Sequence, residues 1–380
     1  MLTSELDYDL PQELIAQHPI IPRDRSRLLV YDRASRQIEH RHLPDLLSRL
    51  SPGDALVYND SRVLRARVHV SKPTGGKVEL LFLRRHGVRL WEALVKPSAR
   101  LREGMELGLA QKPEEPGPAP DSPVPGRHAK AAGGPAVFSL ERNLGGGRWL
   151  VRNLTAENTV ELLERVGEMP LPPYIHERLE EPGRYQTVYA EHPGSAAAPT
   201  AGLHFTPGLI SRIRAAGVAL LPVTLHIGLD TFRPISEEEL ELHEIHSERY
   251  QMPRKTFEGI REAKARGGKV VAVGTTVVRV LETVFQGSEE VEGKTGTDEG
   301  ETLRRQAESA PLKGEAGLFI TPGYRFRAVD SLLTNFHLPR STLLALVMAF
   351  AGIPETRRIY SVAVRERYRF FSFGDAMLLL

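Results

Sequence analysis

The 380-residue chain contains no cysteine. Disulfides, thiol nucleophiles and cysteine-ligated zinc are therefore excluded, and a reducing, cytosolic setting is expected. The opening MLTSELDYDLPQEL has no basic stretch leading into an apolar one, so no secretory signal is expected. Long hydrophobic runs are lacking too. LLALVMAFAG is about half the roughly 20 residues of a bilayer span; it reads as a buried helix, and no membrane partner is expected. Charge of one sign is not in excess, the formal net charge being +2. Arginine outnumbers lysine and suits phosphate, but nucleic-acid binding cannot rest on that alone. A G-x-G-x-x-G turn, a P-loop and a methyltransferase-type glycine-rich turn are all missing. Dinucleotide and Walker-type sites are therefore unsupported.

What is present is ordinary in amount: 41% apolar and 26% charged residues, over a length that accommodates two domains and a sizeable core. Segments 111–136 and 286–317 are rich in Pro, Gly and Ala or in acidic polar groups, and poor in large apolar residues. They are predicted to be mobile low-complexity insertions. Between 55 and 150, DALVYND, RARVHV, GKVELLFLRR, LWEALVKP and GRWLVRNL are short, rich in β-formers and separated by turns. A small antiparallel barrel is predicted there. Elsewhere AENTVELLERVGEM, TPGLISRIRAAGV, KTFEGIREAKARGG and STLLALVMAFAG carry helical periodicity and alternate with the strands VALLPVTLHIG and KVVAVG. The predicted fold class is α/β: a mixed α/β main domain, 1–58 with 151–380, and an inserted β-barrel domain, 59–150.

Polar residues gather in a few places. APTAGLHFT sets His204 between Leu203 and Phe205 in a loop of small residues. Read as a strand, VTLHIGLD turns Val223, Leu225, Ile227 and Leu229 to one side and Thr224, His226, Gly228 and Asp230 to the other. A solvated face usually carries Lys, Glu and Arg, so His and Gly point to a functional one. KVVAVGTTVVRVLET runs strand, turn, helix; Thr275 and Thr276 stand at a helix start that suits an anion, although capping alone also accounts for them. LLTNFHLPRSTLL places Asn335 and His337 on a polar turn before a helix that Ser341 would cap. YRFFSFGDAMLLL mixes aromatics with Arg369, Ser372 and Asp375, as a base-stacking platform or as core. In ELHEIHSERY, His243 and His246 would share one helix face, a ligand-capable spacing that is not H-E-x-x-H. A metal-dependent hydrolase built on that pair, or a non-catalytic tRNA- or RNA-binding module using the barrel, are readings that the residues leave open.

Longer stretches add a resemblance. LIAQHPIIPRDRSRLLV, LVYNDSRVLRARV, GEMPLPPYI, RYQTVYAEHPGSAAAPTAGLHFT, VTLHIGLDTFRPI, VAVGTTVVRVLET, LLTNFHLPRSTLL and YRFFSFGDAMLL are similar, in order and nearly end to end, to the S-adenosylmethionine:tRNA ribosyltransferase-isomerase family of queuosine biosynthesis. The most specific are YQTVYA with PTAGLHFT, LTNFHLP with STLL, and FSFGDAMLL; the two low-complexity segments fall outside. The resemblance implies a cytoplasmic monomer with no metal and no permanently bound cofactor, S-adenosylmethionine being the ribosyl-donating co-substrate. Its implied partner is tRNA whose anticodon loop carries 7-aminomethyl-7-deazaguanine. The ribosyl group would pass to that amine and isomerise to an epoxycyclopentane, giving epoxyqueuosine-tRNA, adenine and methionine.

Such chemistry asks for a base at the amine and at the carbon beside the sulfonium, a hydrogen bond for departing adenine, acceptors for sugar hydroxyls, and cations for phosphate. With the family as guide, the expected catalytic residues are His204, His226, Asp230 and His337, with Asp375 orienting an imidazole or accepting a hydroxyl. Tyr185 and Tyr189 are expected to stack on a base, and Arg23, Arg27 and Arg62 to meet phosphate or the methionine carboxylate. Asn59, Asp60 and Ser61 stand where the main domain should enter the barrel. Thr200 and Gly202 are expected to hold the His204 loop close. Thr224, Gly228, Thr275, Thr276, Asn335 and Arg369 complete the expected binding set.

Overall fold

The computed structural model describes residues 1–110, 135–228, 231, 234–292 and 311–380. Asp230 and most of the two low-complexity segments lie outside the described residues. The chain divides into two compact units, Met1–Arg62 with Leu171–Leu380, and Val63–Pro170. In chain order the strands are β1 Arg27–Asp32, β2 Gln37–His42, β3 Ala55–Asn59, β4 Ser61–Val63, β5 Arg67–Ser71, β6 Lys77–Arg85, β7 Leu90–Lys96, β8 Glu106–Leu109, β9 Ala136–Gly145, β10 Arg148–Asn153, β11 His192–Ser195, β12 Ala219–Leu225, β13 Glu248–Met252, β14 Val270–Val273, β15 Leu312–Ala316, β16 Ser331–Asn335 and β17 Ala376–Leu379.

The first unit is built on a nine-stranded mixed sheet in the order β15-β13-β12-β3-β14-β16-β17-β1-β2. Its centre is parallel: β12 with β3, β3 with β14, and β14 with β16. Strands covered on both faces must be apolar without interruption, and β14, Val-Val-Ala-Val, is buried at every position. Alternate residues feed two cores. Leu29, Tyr31, Val57, Val223, Val270, Ala272, Leu332 and Met377 enter one. Leu28, Val30, Leu56, Val271, Val273, Leu333 and Leu378 enter the other. The first core is closed by helices Arg254–Ala265, Thr275–Glu292, Thr342–Ala351 and Ile353–Arg365, the second by helix Pro207–Ala215 and the 3-10 segment Leu43–Arg49. Helix starts follow local chemistry. Thr206 accepts from the Leu209 amide ahead of Pro207, and Ser341 accepts from that of Leu344, as its place in the sequence predicts.

The second unit is a closed six-stranded antiparallel barrel, β10-β7-β6-β5-β8-β9. Period-2 patterning fills it: Trp91, Ala93 and Val95 from β7 and Trp149 and Val151 from β10 are buried. The predicted boundary at 150 cuts β10 in two. This unit runs on through Pro170 because β10 completes the barrel, and the helix Thr159–Val166, capped by Asn158, follows it and buries Leu162 and Leu163. The segment predicted as one loop over 286–317 is not loop throughout, since helix Thr275–Glu292 enters it and Leu312–Ala316 pairs with β13. Among the described residues no helix is long and apolar enough to cross a membrane.

One polar network lies inside the first unit. Glu248, on β13, is 2% exposed. Its Oε1 accepts from the Gly228 amide and from Thr231 Oγ1, each at 2.8 Å, and its Oε2 accepts from Arg279 Nη1 at 2.8 Å. Arg279 Nη2 donates further to the carbonyls of His246 and Ala316. Burial alone would raise the Glu248 carboxyl, but the His246 hydrogen bond and the Arg279 charge outweigh it and hold it below its ordinary value. Removing one member leaves a buried charge unpaired. Arg279→Met should therefore cost about 3–5 kcal/mol, and adding Glu248→Gln should recover part of it, read from urea unfolding.

Candidate active site

Ligands of open α/β sheets bind beyond the carboxyl ends of parallel strands. Here those ends deliver Asn59 and Asp60 after β3, His226 after β12, Gly274 to Thr276 after β14, and Asn335 to His337 after β16. Asn59 ties two of them together: its Nδ2 donates to the Leu225 carbonyl and its Oδ1 accepts from the Leu225 and Ser61 amides. Two cavities open along this edge; His226 lines one, and Ile227 and Thr231 line the other.

The larger is a groove of about 550 Å³, lined by His192, Pro193, Thr224, His226, Arg249, Tyr250 and Lys313 among others. That volume is the size of ordinary small-molecule sites. Asp60 lies beside it, 4% exposed, with Oδ1 accepting from Thr224 Oγ1 at 2.6 Å and Oδ2 3.7 Å from His192 Nε2. Burial pushes the Asp60 carboxyl up. Burial, with His192 and Arg249 nearby, pushes the His226 imidazole down, and its Nδ1 has no hydrogen-bond partner. The ring lies against Gly194, where φ is +146° and a side-chain carbon would come within 2.8 Å of Cε1; only glycine leaves that ring its place.

The smaller cavity, about 30 Å³, has room for about one water. Thr200, Thr231, Thr275, Thr276, Thr334 and His337 line it beside apolar Ile227 and Leu343. His337 Nε2 is 2.9 Å from Thr334 Oγ1, and burial pushes the imidazole down to about 3. Thus Asp60, Thr224 and His226 meet at the groove, and Thr200, Thr275, Thr276 and His337 at the narrow pocket. Gly228 gives its amide to Glu248 between them. Arg62 is exposed, and Ser61 is buried.

Other expected site residues serve the interior. His204 is fully buried. Asn335 Nδ2 faces the carbonyls of Phe371 and Asp375 and donates to His204 Nε2 at 3.0 Å, which makes Nε2 the acceptor. Nδ1 lies 2.8 Å from Ser26 Oγ and 3.3 Å from Arg23 Nη2. With both nitrogens engaged and no access, His204 is a strut of the 198–206 loop. Arg23 donates to the carbonyls of Leu203 and Phe373. Arg27 donates to Glu366 O and covers the Tyr368 ring at 3.7 Å. Asp375 accepts from the Arg27 and Arg369 amides, and the Arg369 guanidinium donates to His18 O. Tyr185 is wholly buried, edge-on to Phe373. Tyr189 presses its hydroxyl on Gly202, where a side-chain carbon would meet it at 2.3 Å. Gly202 therefore makes room for a tyrosine.

Two motif readings change. The strand predicted over 223–230 stops at Leu225, because Gly228 turns its amide to Glu248 and breaks the alternation. His243 and His246 share no helix: Leu240–Leu242 is a single 3-10 turn, His243 Nδ1 pairs with Glu237, and His246 Nε2 with Thr231. Sequence reasoning missed His192, Arg249, Lys313 and Thr231. The polar pair Glu191-His192 ahead of Pro-Gly was the available signal for the first. Lys313 fell inside a segment taken for an insertion.

His204, His226 and His337 are all shifted below the ordinary histidine value of 6.5, with burial the first cause in each. As pH drops below that value the unfolded chain binds more protons than the folded one, so this stability is lost on acidification and regained as pH rises. Each such group adds a slope of about 1.4 kcal/mol per pH unit. Urea midpoints should fall from pH 7 to pH 5, and His337→Gln should show a shallower fall by one proton's worth.

The family profile described as Queuosine biosynthesis protein matches residues 3–379. Two relatives are named S-adenosylmethionine:tRNA ribosyltransferase-isomerase. The protein of Rubrobacter xylanophilus is 50% identical over 380 residues, covering 100% of this chain and 98% of its own. That of Symbiobacterium thermophilum is 49% identical over 382 residues, covering 100% of both. The crystal structure of S-adenosylmethionine tRNA ribosyltransferase from Thermotoga maritima is 34% identical, covers 99% of this chain and 100% of that one, and superposes with a TM-score of 0.52. A match across almost every residue, with identity near one half, leaves one assignment: the chain belongs to the queuosine biosynthesis protein family.

Proposed function

We propose that this chain is an S-adenosylmethionine:tRNA ribosyltransferase-isomerase. It moves the ribosyl group of S-adenosylmethionine onto the amine of 7-aminomethyl-7-deazaguanine in tRNA and isomerises it, releasing adenine and methionine as epoxyqueuosine forms. The observation that carries this reading is full-length likeness, near 50% identity, to proteins of that name. The groove beyond β3 and β12 supports it. Its volume suits a nucleoside-sized group, and Arg249 and Lys313 on its wall suit RNA phosphate. S-adenosylmethionine acts as a co-substrate, and the working form is a cytosolic monomer.

Within this reading His226 moves a proton. Burial keeps its imidazole neutral at pH 7, and the unpartnered Nδ1 is free to accept. Thr224, fixed by its hydrogen bond to Asp60, holds sugar hydroxyls in register. Thr275 and Thr276, at the start of helix Thr275–Glu292, place hydroxyls and amides beside any anionic or carbonyl group that enters the narrow pocket. His204, Asn335, Arg23 and Asp375 keep the loops that frame the site in place.

Adenine release is the test. Protein, S-adenosylmethionine and tRNA carrying the aminomethyl base should yield adenine; unmodified tRNA should not, and adenine from neither would end the reading. His226→Ala should lower turnover roughly 10²-fold with tRNA binding intact. Near-normal turnover would remove His226 from proton transfer. The logarithm of tRNA affinity should fall linearly with the logarithm of salt concentration. A flat line would contradict phosphate contacts from Arg and Lys.

A further inference from the structure

Two imidazoles face the groove, and the family resemblance pointed to only one of them. His192 is about half exposed, with a side-chain accessibility of 49%. The exposed His192 can reach an amine presented on a macromolecule; the His226 ring, packed on Gly194, cannot advance. His192 is also held from two sides. The Glu191 and His192 amides donate to the Asp60 carbonyl at 2.8 and 3.2 Å. The Asp60 carboxylate sits 3.7 Å from Nε2 and is itself fixed by Thr224. At that distance the carboxylate acts through its charge, which favours a proton on the near nitrogen and leaves the other as the acceptor.

We propose that His192 takes the proton from the aminomethyl nitrogen of the substrate base, with Asp60 as its positioning residue. This rests on the transferase reading above. An alkyl amine enters as ammonium at neutral pH, as a lysine side chain would. One proton passes from that nitrogen to His192 Nδ1. The electron pair of the broken N–H bond stays on nitrogen as the lone pair of a neutral amine, the form that can act as a nucleophile. The resulting imidazolium is stabilised by the Asp60 carboxylate and returns its proton to solvent through the exposed face of the ring. The step involves no oxidant and no reductant.

The same corner offers a competing use: ligand atoms of Asp60, Glu191 and His192 lie within 4.8 Å of one another and could hold a cation. The experiment separates the two. Full-length wild type is assayed first for adenine release with modified tRNA; failure there sinks the transferase reading and leaves the dyad out of account. With wild type active, His192→Ala and His192→Gln should each lower kcat roughly 10²-fold while KM for tRNA stays unchanged. Glutamine keeps a donor toward Asp60 yet cannot take the proton, so it decides the matter if the alanine variant does not fold. Asp60→Asn should lower kcat with KM unchanged; a normal kcat would remove Asp60 from the positioning role. Near-wild-type kcat in either folded His192 variant, or a defect confined to KM, would overturn the proposal. Activity lost to EDTA and restored by a divalent cation would overturn it in favour of the metal.

Discussion

Both cavities hang on one carboxylate that water cannot reach. Glu248 grips the Gly228 amide and the Thr231 hydroxyl with one oxygen and Arg279 with the other. β12 ends at Leu225, and the grip holds Gly228 and Thr231 beyond it. His226 is thereby delivered to the groove, while Ile227 and Thr231 face the narrow pocket. Arg279 ties the same constraint to Ala316 at the end of β15, while the β13–β15 ladder sets Lys313 on the groove wall opposite Gln251. A buried pair of this kind contributes little net stability against an apolar alternative. Its use here is to make one placement of the Gly228 amide and the Thr231 hydroxyl far better than its neighbours.

The legible parts of the fold were those that local physics decides. Runs such as Val-Val-Ala-Val and the period-2 barrel strands could only be strands, and Ser341 before a long apolar run could only cap a helix. What stayed hidden depends on contacts far apart in the chain. Nothing near Gly228 announces Glu248 twenty residues on, so the alternation of VTLHIGLD was carried too far. Lys313 sits beside acidic low-complexity sequence and becomes a groove residue only by pairing with β13. The end of the barrel unit was missed because closing a barrel is a property of six strands together, and β8 and β9 flank the first low-complexity segment.

The histidines show how residue type and motif specificity can mislead about role. His204 stands in one of the most specific motifs, yet its ring is enclosed by Asn335 and Ser26. A wrong tautomer there would leave a buried donor or acceptor without a partner, which is a strong constraint on sequence with no proton transferred. His192 lies in a less conspicuous stretch and has what chemistry asks for: access, an anionic neighbour and a cavity wall. Accessibility, which sequence does not give, separates the two.

The place of β17 has a consequence for how the molecule is made. Residues 376–379 lie between β16 and β1, so one of the earliest strands is joined to the rest of the sheet by one of the last. During synthesis β1 and β2 must wait, paired only with each other, until nearly all of the 380 residues have left the ribosome. The barrel unit is continuous in sequence and meets no such delay. Vectorial production therefore favours a finished barrel while the sheet is still unfinished, its apolar strands needing shielding until β17 arrives.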